Sequence, residues 1–204
     1  MKHAIDKEFS EIANGIDGEF ERNRRLHGSK IHCDAGCTGC CHHLFFITEI
    51  EAAAVSRAVK GSSPDLRSKL KQQARAHEPA RQEIMRRHGY IQARGNLPTP
   101  ETRLACPALL GGRCAIYESR PLICRKYGMP VVDPGQPGRT FACELNFKRG
   151  ETIGDPRLVT IQTGISERWT SLQQGYGQVG GRRAELPISV ARAIMEDFEA
   201  YLPR

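Results

Sequence analysis

The chain has 204 residues, a formal net charge of +7 and eight cysteines, which suits an ordinary globular chain with a core of its own. Its longest wholly apolar runs, such as Leu44-Phe45-Phe46-Ile47 and Ala52-Ala53-Ala54-Val55, are four residues long. That excludes a membrane-spanning helix, which needs about 20 apolar residues.

The first segment carries acids from Asp6 onward and no continuous apolar stretch, so it is not expected to act as a secretory or transit signal. The expected compartment is therefore the cytoplasm, where thiols stay reduced. Ile5, Phe9, Ile12, Ile16 and Phe20 recur at helical spacing and predict a helix over 1–26, which Gly15 and Gly18 weaken. Thr48 and Glu51 form a Thr-x-x-Glu capping box that opens a second helix running to about Lys60. Ser63 and Pro64 read as the cap and first residue of a third, with Leu66 and Leu70 on its apolar face. Pro79 is expected to kink or break it before a further turn that ends at Gly89.

From Asn96 to about Gly150 prolines and clustered glycines interrupt every periodic pattern, so this segment reads as loop-rich. Val131-Val132 and Thr140-Phe141 are its best short strands. Asp155-Pro156 is expected to open a helix with Leu158, Ile161, Ile165, Trp169 and Leu172 on one face. Gly175 to Gly181 read as a flexible link, and a last helix is expected from Leu186 to Leu202, burying Ile194, Phe198 and Tyr201 or Leu202.

The cysteines fall in two groups, Cys33-x3-Cys37-x2-Cys40-Cys41 and Cys106-x7-Cys114-x9-Cys124-x18-Cys143, and both avoid the predicted helices. Cysteines used as small core residues would be scattered over helical faces as well. A Cys-x2-Cys turn brings two thiolates onto one ion, and Gly39 within it permits a tight backbone. Soft thiolate ligands select zinc, Cu(I) or iron–sulfur units. Cys106-Pro107 is similar to the Cys-Pro that closes bacterial ferredoxin runs, which favours iron slightly over zinc. Neighbouring side chains diverge, so Cys40 and Cys41 serve two sites, or one is a ligand and the other redox-active or structural. His32, His42 and His43 flank the first group and could add nitrogen ligands, although eight sulfurs already complete two four-coordinate sites. Tyr117, Arg120 and Arg125 lie beside the second group. The arginines are expected to donate to thiolates from outside the ligand set, offsetting their negative charge, and Tyr117 to cover the centre or simply pack.

The first cysteine group resembles the opening of the CxxCxxCC family, also called YkgJ-type cysteine-cluster proteins, described as zinc- or iron-chelating. CPALLGGRCAIYESRPLICRKYG, from Cys106 to Gly128, resembles that family's second signature, and Cys143 matches its trailing cysteine. The likeness covers about residues 31–147, departing from the pattern in the x3 gap between Cys33 and Cys37. A related cluster occurs in flagellin lysine N-methylases, which suggests a link to protein modification that uses S-adenosylmethionine. No Gly-x-Gly-x-x-Gly loop follows a strand here, however.

Together these readings predict a mainly α single domain over 1–204, with helices packed around an irregular, loop-rich cysteine/metal centre and little β structure. The metal-binding core spans about 31–147, flanked by helical segments at 1–26 and 155–202. The expected function is that of a cytosolic metal-binding protein. Its ligands are Cys33, Cys37, Cys40, Cys41, Cys106, Cys114, Cys124 and Cys143, holding iron, with [4Fe–4S] as one form, or Zn2+. The alternatives are an iron–sulfur enzyme, an oxidoreductase or one linked to protein-lysine methylation, and a zinc-stapled binding module. Metal ions are the expected partners, and a protein partner or substrate stays open. Nucleic acid is not expected, because the basic pairs lack interleaved aromatics and eight thiolates around two divalent ions remove four positive charges.

Overall fold

The computed structural model describes residues 1–34, 36–90, 95–133, 139–147, 151, 153–179 and 188–203. Six helices and three two-stranded ribbons occur among them, so the chain is mainly α with little β. Helix α1 (Lys2–His27) buries Ile5, Phe9, Ile12 and Ile16 as the periodicity predicts, with Phe20 half-buried at the end of the stripe.

Gly15 and Gly18 do not interrupt α1, and a methyl group added at either would meet nothing within 4 Å. Gly15→Ala and Gly18→Ala should therefore each stabilise the chain by about 0.5–1 kcal/mol through lower backbone entropy in the unfolded state. Urea denaturation measures this, and a loss of stability in either variant would contradict the open surroundings of these positions.

Helix α2 (Glu49–Gly61) opens on the predicted box: the Glu51 N–H donates to Thr48 Oγ1 at 3.3 Å and the Thr48 N–H donates to the Glu51 carboxylate at 2.8 Å. Helix α3 (Pro64–His88) starts on Ser63 and ends at Gly89, as expected. The break expected at Pro79 does not occur. Pro79 lies on the exposed face, where the carbonyl left without its N–H partner is open to water. The opposite face of α3 is held by buried Leu70, Ala74, His77 and Arg81.

Among the described residues from 95 to 147 there is one short α-helix, α4 (Leu122–Lys126), preceded by a 3-10 turn at Tyr117–Ser119. The ribbon β2 (Leu109–Leu110) and β3 (Arg113–Cys114) turns at Gly111 and Gly112, whose φ values of 55° and 75° suit a two-residue hairpin. The two strands read from the sequence, β4 (Val131–Val132) and β5 (Thr140–Phe141), pair with each other.

Helix α5 (Leu158–Gln178) begins two residues after the expected Pro156; the Asp155 carboxylate pairs with Arg22 of α1 and accepts the Arg157 N–H at 3.1 Å. Of its predicted face, Ile165, Trp169 and Leu172 pack against the core, Leu158 is buried and Ile161 half-buried; the helix runs through Gly175 to Gln178, where a flexible link was expected. The rest of that link, and Leu186 and Pro187, lie outside the described residues.

The single helix expected from Leu186 to Leu202 is instead three pieces. Strand β6 (Ile188–Ser189) pairs with β1 (Phe46–Ile47), α6 (Val190–Met195) follows, and Phe198–Tyr201 form a 3-10 turn. The chain is extended at Glu196. Ser56 of α2 handles the backbone groups freed there: its hydroxyl lies 2.9 Å from the carbonyls of Ala193 and Glu196 and accepts the Phe198 N–H at 3.2 Å. Ile194, Phe198 and Leu202 are buried as expected, and Tyr201 is half-buried. No helix among the described residues is long and apolar enough to cross a membrane.

Candidate metal centre

The first cysteine group follows α1 on a loop anchored by buried Ile31. Gly36, at φ 98°, makes the bend between Cys33 and Cys37, and the Cys37 N–H closes a turn on the Asp34 carbonyl at 3.0 Å. Gly39–His42 then form one 3-10 turn that carries Cys40 and Cys41. In such a turn successive side chains point about 120° apart. Gly39 itself has no left-handed φ; a Cβ there would lie 2.9 Å from Leu97 Cδ2, so any side chain would have to push the Leu97 side chain aside. Its role is space rather than backbone freedom.

The second group is laid against the first by main-chain bonds. The Cys106 N–H donates to the Cys41 carbonyl at 2.7 Å, and the Leu104 N–H to that of His42 at 3.3 Å. The β2–β3 ribbon pairs Leu109 with Cys114 and so returns Cys114 toward Cys106. Cys124 rides on α4, whose first N–H, that of Leu122, donates to the Glu51 carboxylate at 2.8 Å.

Asn146 ties Cys33 to Cys143. Its Nδ2 donates to Cys33 Sγ at 3.4 Å and to the Gly128 carbonyl, its Oδ1 accepts the His32 N–H at 2.8 Å, and its own N–H donates to the Cys143 carbonyl at 2.7 Å. Gly128, at φ 105°, packs so closely on Cys33 that a Cβ would overlap the sulfur. Neither residue stood out in the sequence: an asparagine three residues after a cysteine and a glycine in a loop carry no signal until the fold brings Cys33 to them.

All eight cysteines are free thiols; Cys143 is buried, Cys37 exposed and the others half-buried. Seven of them, all but Cys143, line one cavity of about 760 Å³. Burial raises the thiol pKa of Cys33, Cys106, Cys114, Cys124 and Cys143, that of Cys106 to about 12, and neighbouring thiolates add to the rise in each case. The hydrogen bond between the Cys40 and Cys41 thiols pushes the pKa of Cys40 up and brings that of Cys41 down to about 7. As the side chains are oriented, no three Cys, His, Asp or Glu groups among the described residues converge at metal-ligand distance. A cysteine redirects its sulfur by rotation about χ1 alone, and crowded, buried thiols are the donor set that a soft cation ionises.

The three residues expected around the ligands do several things. Arg125 is buried and reaches Asp17 of α1 and the carbonyls of Glu118 and Arg120. Arg120 pairs with the same Asp17 at 2.8 Å and covers the Tyr117 ring at 3.9 Å, and its charge opposes a little of the rise that burial gives the Cys114 thiol. Tyr117 stays exposed at the cavity rim. Among the described residues neither guanidinium hydrogen-bonds to a sulfur; together they clamp residues 117–121, ahead of Cys124, onto α1. Of the flanking histidines, His32 is exposed and His42 sits 3.0 Å from the Thr38 carbonyl. His43 Nε2 lies 2.8 Å from the Tyr127 hydroxyl, which donates to the Asn96 carbonyl at 2.9 Å. The hydroxyl has one proton, so His43 donates from Nε2. Burial brings the His43 pKa down to about 4 and keeps the ring neutral at neutral pH.

Comparison with curated proteins and with solved structures gave no match. The model of the CxxCxxCC family, described as a "putative zinc- or iron-chelating domain", matches residues 32–144, more than half of the chain and the whole of both cysteine groups. The chain belongs to the CxxCxxCC family, and binding of a metal ion is the property that this membership supports.

Proposed function

We propose that the protein holds two iron–sulfur centres on four cysteines each, one on Cys33, Cys37, Cys40 and Cys143 and the other on Cys41, Cys106, Cys114 and Cys124. The observation that carries this reading is how the thiols influence one another. Cys33 feels Cys37 and Cys143, and Cys143 feels Cys37. Cys124 feels Cys106, Cys41 and Cys114; Cys106 feels Cys114 and Cys41; Cys114 feels Cys41. Cys40 borders both sets, through Cys33 on one side and Cys41 and Cys124 on the other. The second set is already complete with four sulfurs, so Cys40 completes the first. The adjacent pair Cys40-Cys41, whose thiols lie against each other, is thus divided between two neighbouring centres.

Iron–sulfur clusters are favoured over single zinc ions because seven of the eight thiols line a space of about 760 Å³ and no three of them converge on one point among the described residues. A mononuclear zinc site gathers its four sulfurs about 2.3 Å from one point. Clusters bound there would supply one-electron transfer.

Anaerobic purification, with iron, sulfide and zinc analysis of the same sample, tests both parts of this reading. The expected sample is brown, with iron and acid-labile sulfide in equal amounts. Cys37→Ser and Cys114→Ser should each lose half of the iron, and the double variant all of it. A colourless protein with two tightly held zincs would replace iron by zinc. Loss of all metal from either single variant would merge the two centres into one.

A further inference from the structure

We propose that His77 and Arg81, one turn apart on α3, form a binding site for the carboxylate of a small organic acid within the cavity that the cysteines line. Both residues face that cavity. Arg81 is 3% exposed, yet its Nε and Nη2 have no hydrogen-bond partner, and no carboxylate among the described residues lies within ion-pair distance of it. His77 is also buried, and its Nδ1 is unpartnered. Glu78, on the same helix, accepts the Ser189 hydroxyl at 2.6 Å instead of pairing with Arg81. Of the other arginines that line the cavity, Arg24 pairs with Asp34, Arg120 and Arg125 pair with Asp17, and Arg113 is exposed to solvent.

A buried guanidinium with free donors is held at the expense of its hydration and is the natural partner of a planar, bidentate anion. The Phe46 ring lies 4.5 Å from the guanidinium carbon and itself stacks on Tyr90 at 5.1 Å, which fixes the plane of the fork. A monoanion fits better than a phosphate dianion. His77 is neutral near pH 7, with its pKa brought down to about 4 by burial and then by the Arg81 charge, and Glu78 adds a negative charge close by. Phe20, Leu44 and Phe45 on the cavity wall suit an apolar acyl body. None of these contacts involves a cysteine, so the inference does not depend on which metal the thiols hold.

The test is a titration of the full-length purified protein with hexanoate, acetate, hexanol and inorganic phosphate, followed by calorimetry or ligand-observed NMR. Hexanoate should bind saturably and more tightly than acetate, while hexanol and phosphate should bind weakly or not at all. Arg81→Met should weaken hexanoate at least about tenfold, and Arg81→Lys, which keeps the charge without the fork, should lie between. Arg81→Met should also raise the melting temperature of the ligand-free chain, since it removes a buried charge without a partner. A purely structural Arg81 would show the reverse, a lowered melting temperature with hexanoate binding untouched. The proposal is overturned if hexanoate does not bind, if hexanol or phosphate matches it, or if Arg81→Met and Arg81→Lys both bind hexanoate like the wild type. Metal analysis of the same samples keeps the two readings apart, because hexanoate binding in a sample without metal would remove only the metal reading.

Discussion

Replacing Glu51 with alanine should lower the unfolding free energy by about 3–5 kcal/mol, several times the loss of an ordinary helix cap. The carboxylate is 6% exposed and serves two helix starts. One oxygen accepts the Thr48 N–H at 2.8 Å and the Thr48 hydroxyl at 2.9 Å, closing the box at the head of α2. The other accepts the Leu122 N–H at 2.8 Å, at the head of α4. Burial pushes the carboxyl pKa up, and the bonds from Thr48 and Leu122 oppose that rise. Alanine leaves donors without an acceptor at both places, the buried Leu122 N–H and the part-buried Thr48 N–H and hydroxyl, each place costing about 1–3 kcal/mol. Glu51→Gln retains a single acceptor oxygen and can serve only one of the two starts, so its expected cost is about 1–2 kcal/mol. Urea denaturation measures both variants. An alanine variant within about 1 kcal/mol of the wild type would show that α4 does not depend on Glu51. Because α4 carries Cys124 and Arg125, the same variant should also hold less metal than the wild type.

Glu51 illustrates how far local sequence patterns reach in this chain. The capping box is a four-residue signal and was legible, as were the cap and proline at the head of α3 and the apolar stripes of α1 and α5. The second use of Glu51 joins residues 71 positions apart, which no local pattern encodes. The same limit explains the misread C-terminal segment. Its apolar spacing suits one long helix, but Ser56, far away on α2, stabilises an extended residue at Glu196 by taking the liberated backbone groups. Pro79 errs in the other direction. A proline's local cost was outweighed by the packing of the opposite face of α3. At the candidate centre the cysteines were visible because their type and spacing are rare. The residues that hold them in place, Asn146, Gly128 and Tyr127, are of common types in loops and emerge only when the chain is folded. His77 and Arg81 were hidden for a related reason: on a basic helix an arginine reads as solvated surface, and only burial distinguishes this one.

Gly128→Ala should be the most selective way to disable one centre without touching a ligand. The glycine sits at φ 105°, a conformation that L residues rarely adopt, and its missing Cβ leaves the space that the Cys33 sulfur fills. Adding that carbon strains the backbone and displaces the sulfur, for an expected loss of about 3–5 kcal/mol. The neighbouring contacts are ordinary, since Asn146 Nδ2 and Cys33 Cβ would each lie 3.6 Å away. Beyond the backbone strain, the damage should therefore pass through the sulfur. A double-mutant cycle with Cys33→Ala isolates that term. With the sulfur removed, Gly128→Ala should cost only its backbone strain, about 1–2 kcal/mol, leaving a coupling of about 1–3 kcal/mol between the two sites. The iron content gives the second readout: Gly128→Ala should lose one centre's share and keep the other, matching Cys37→Ser. Strictly additive energies would mean that Gly128 acts only through backbone strain. Loss of all the iron would mean that the set containing Cys33 cannot fail without the set containing Cys124, so that Cys40 and Cys41 couple the two centres into one unit.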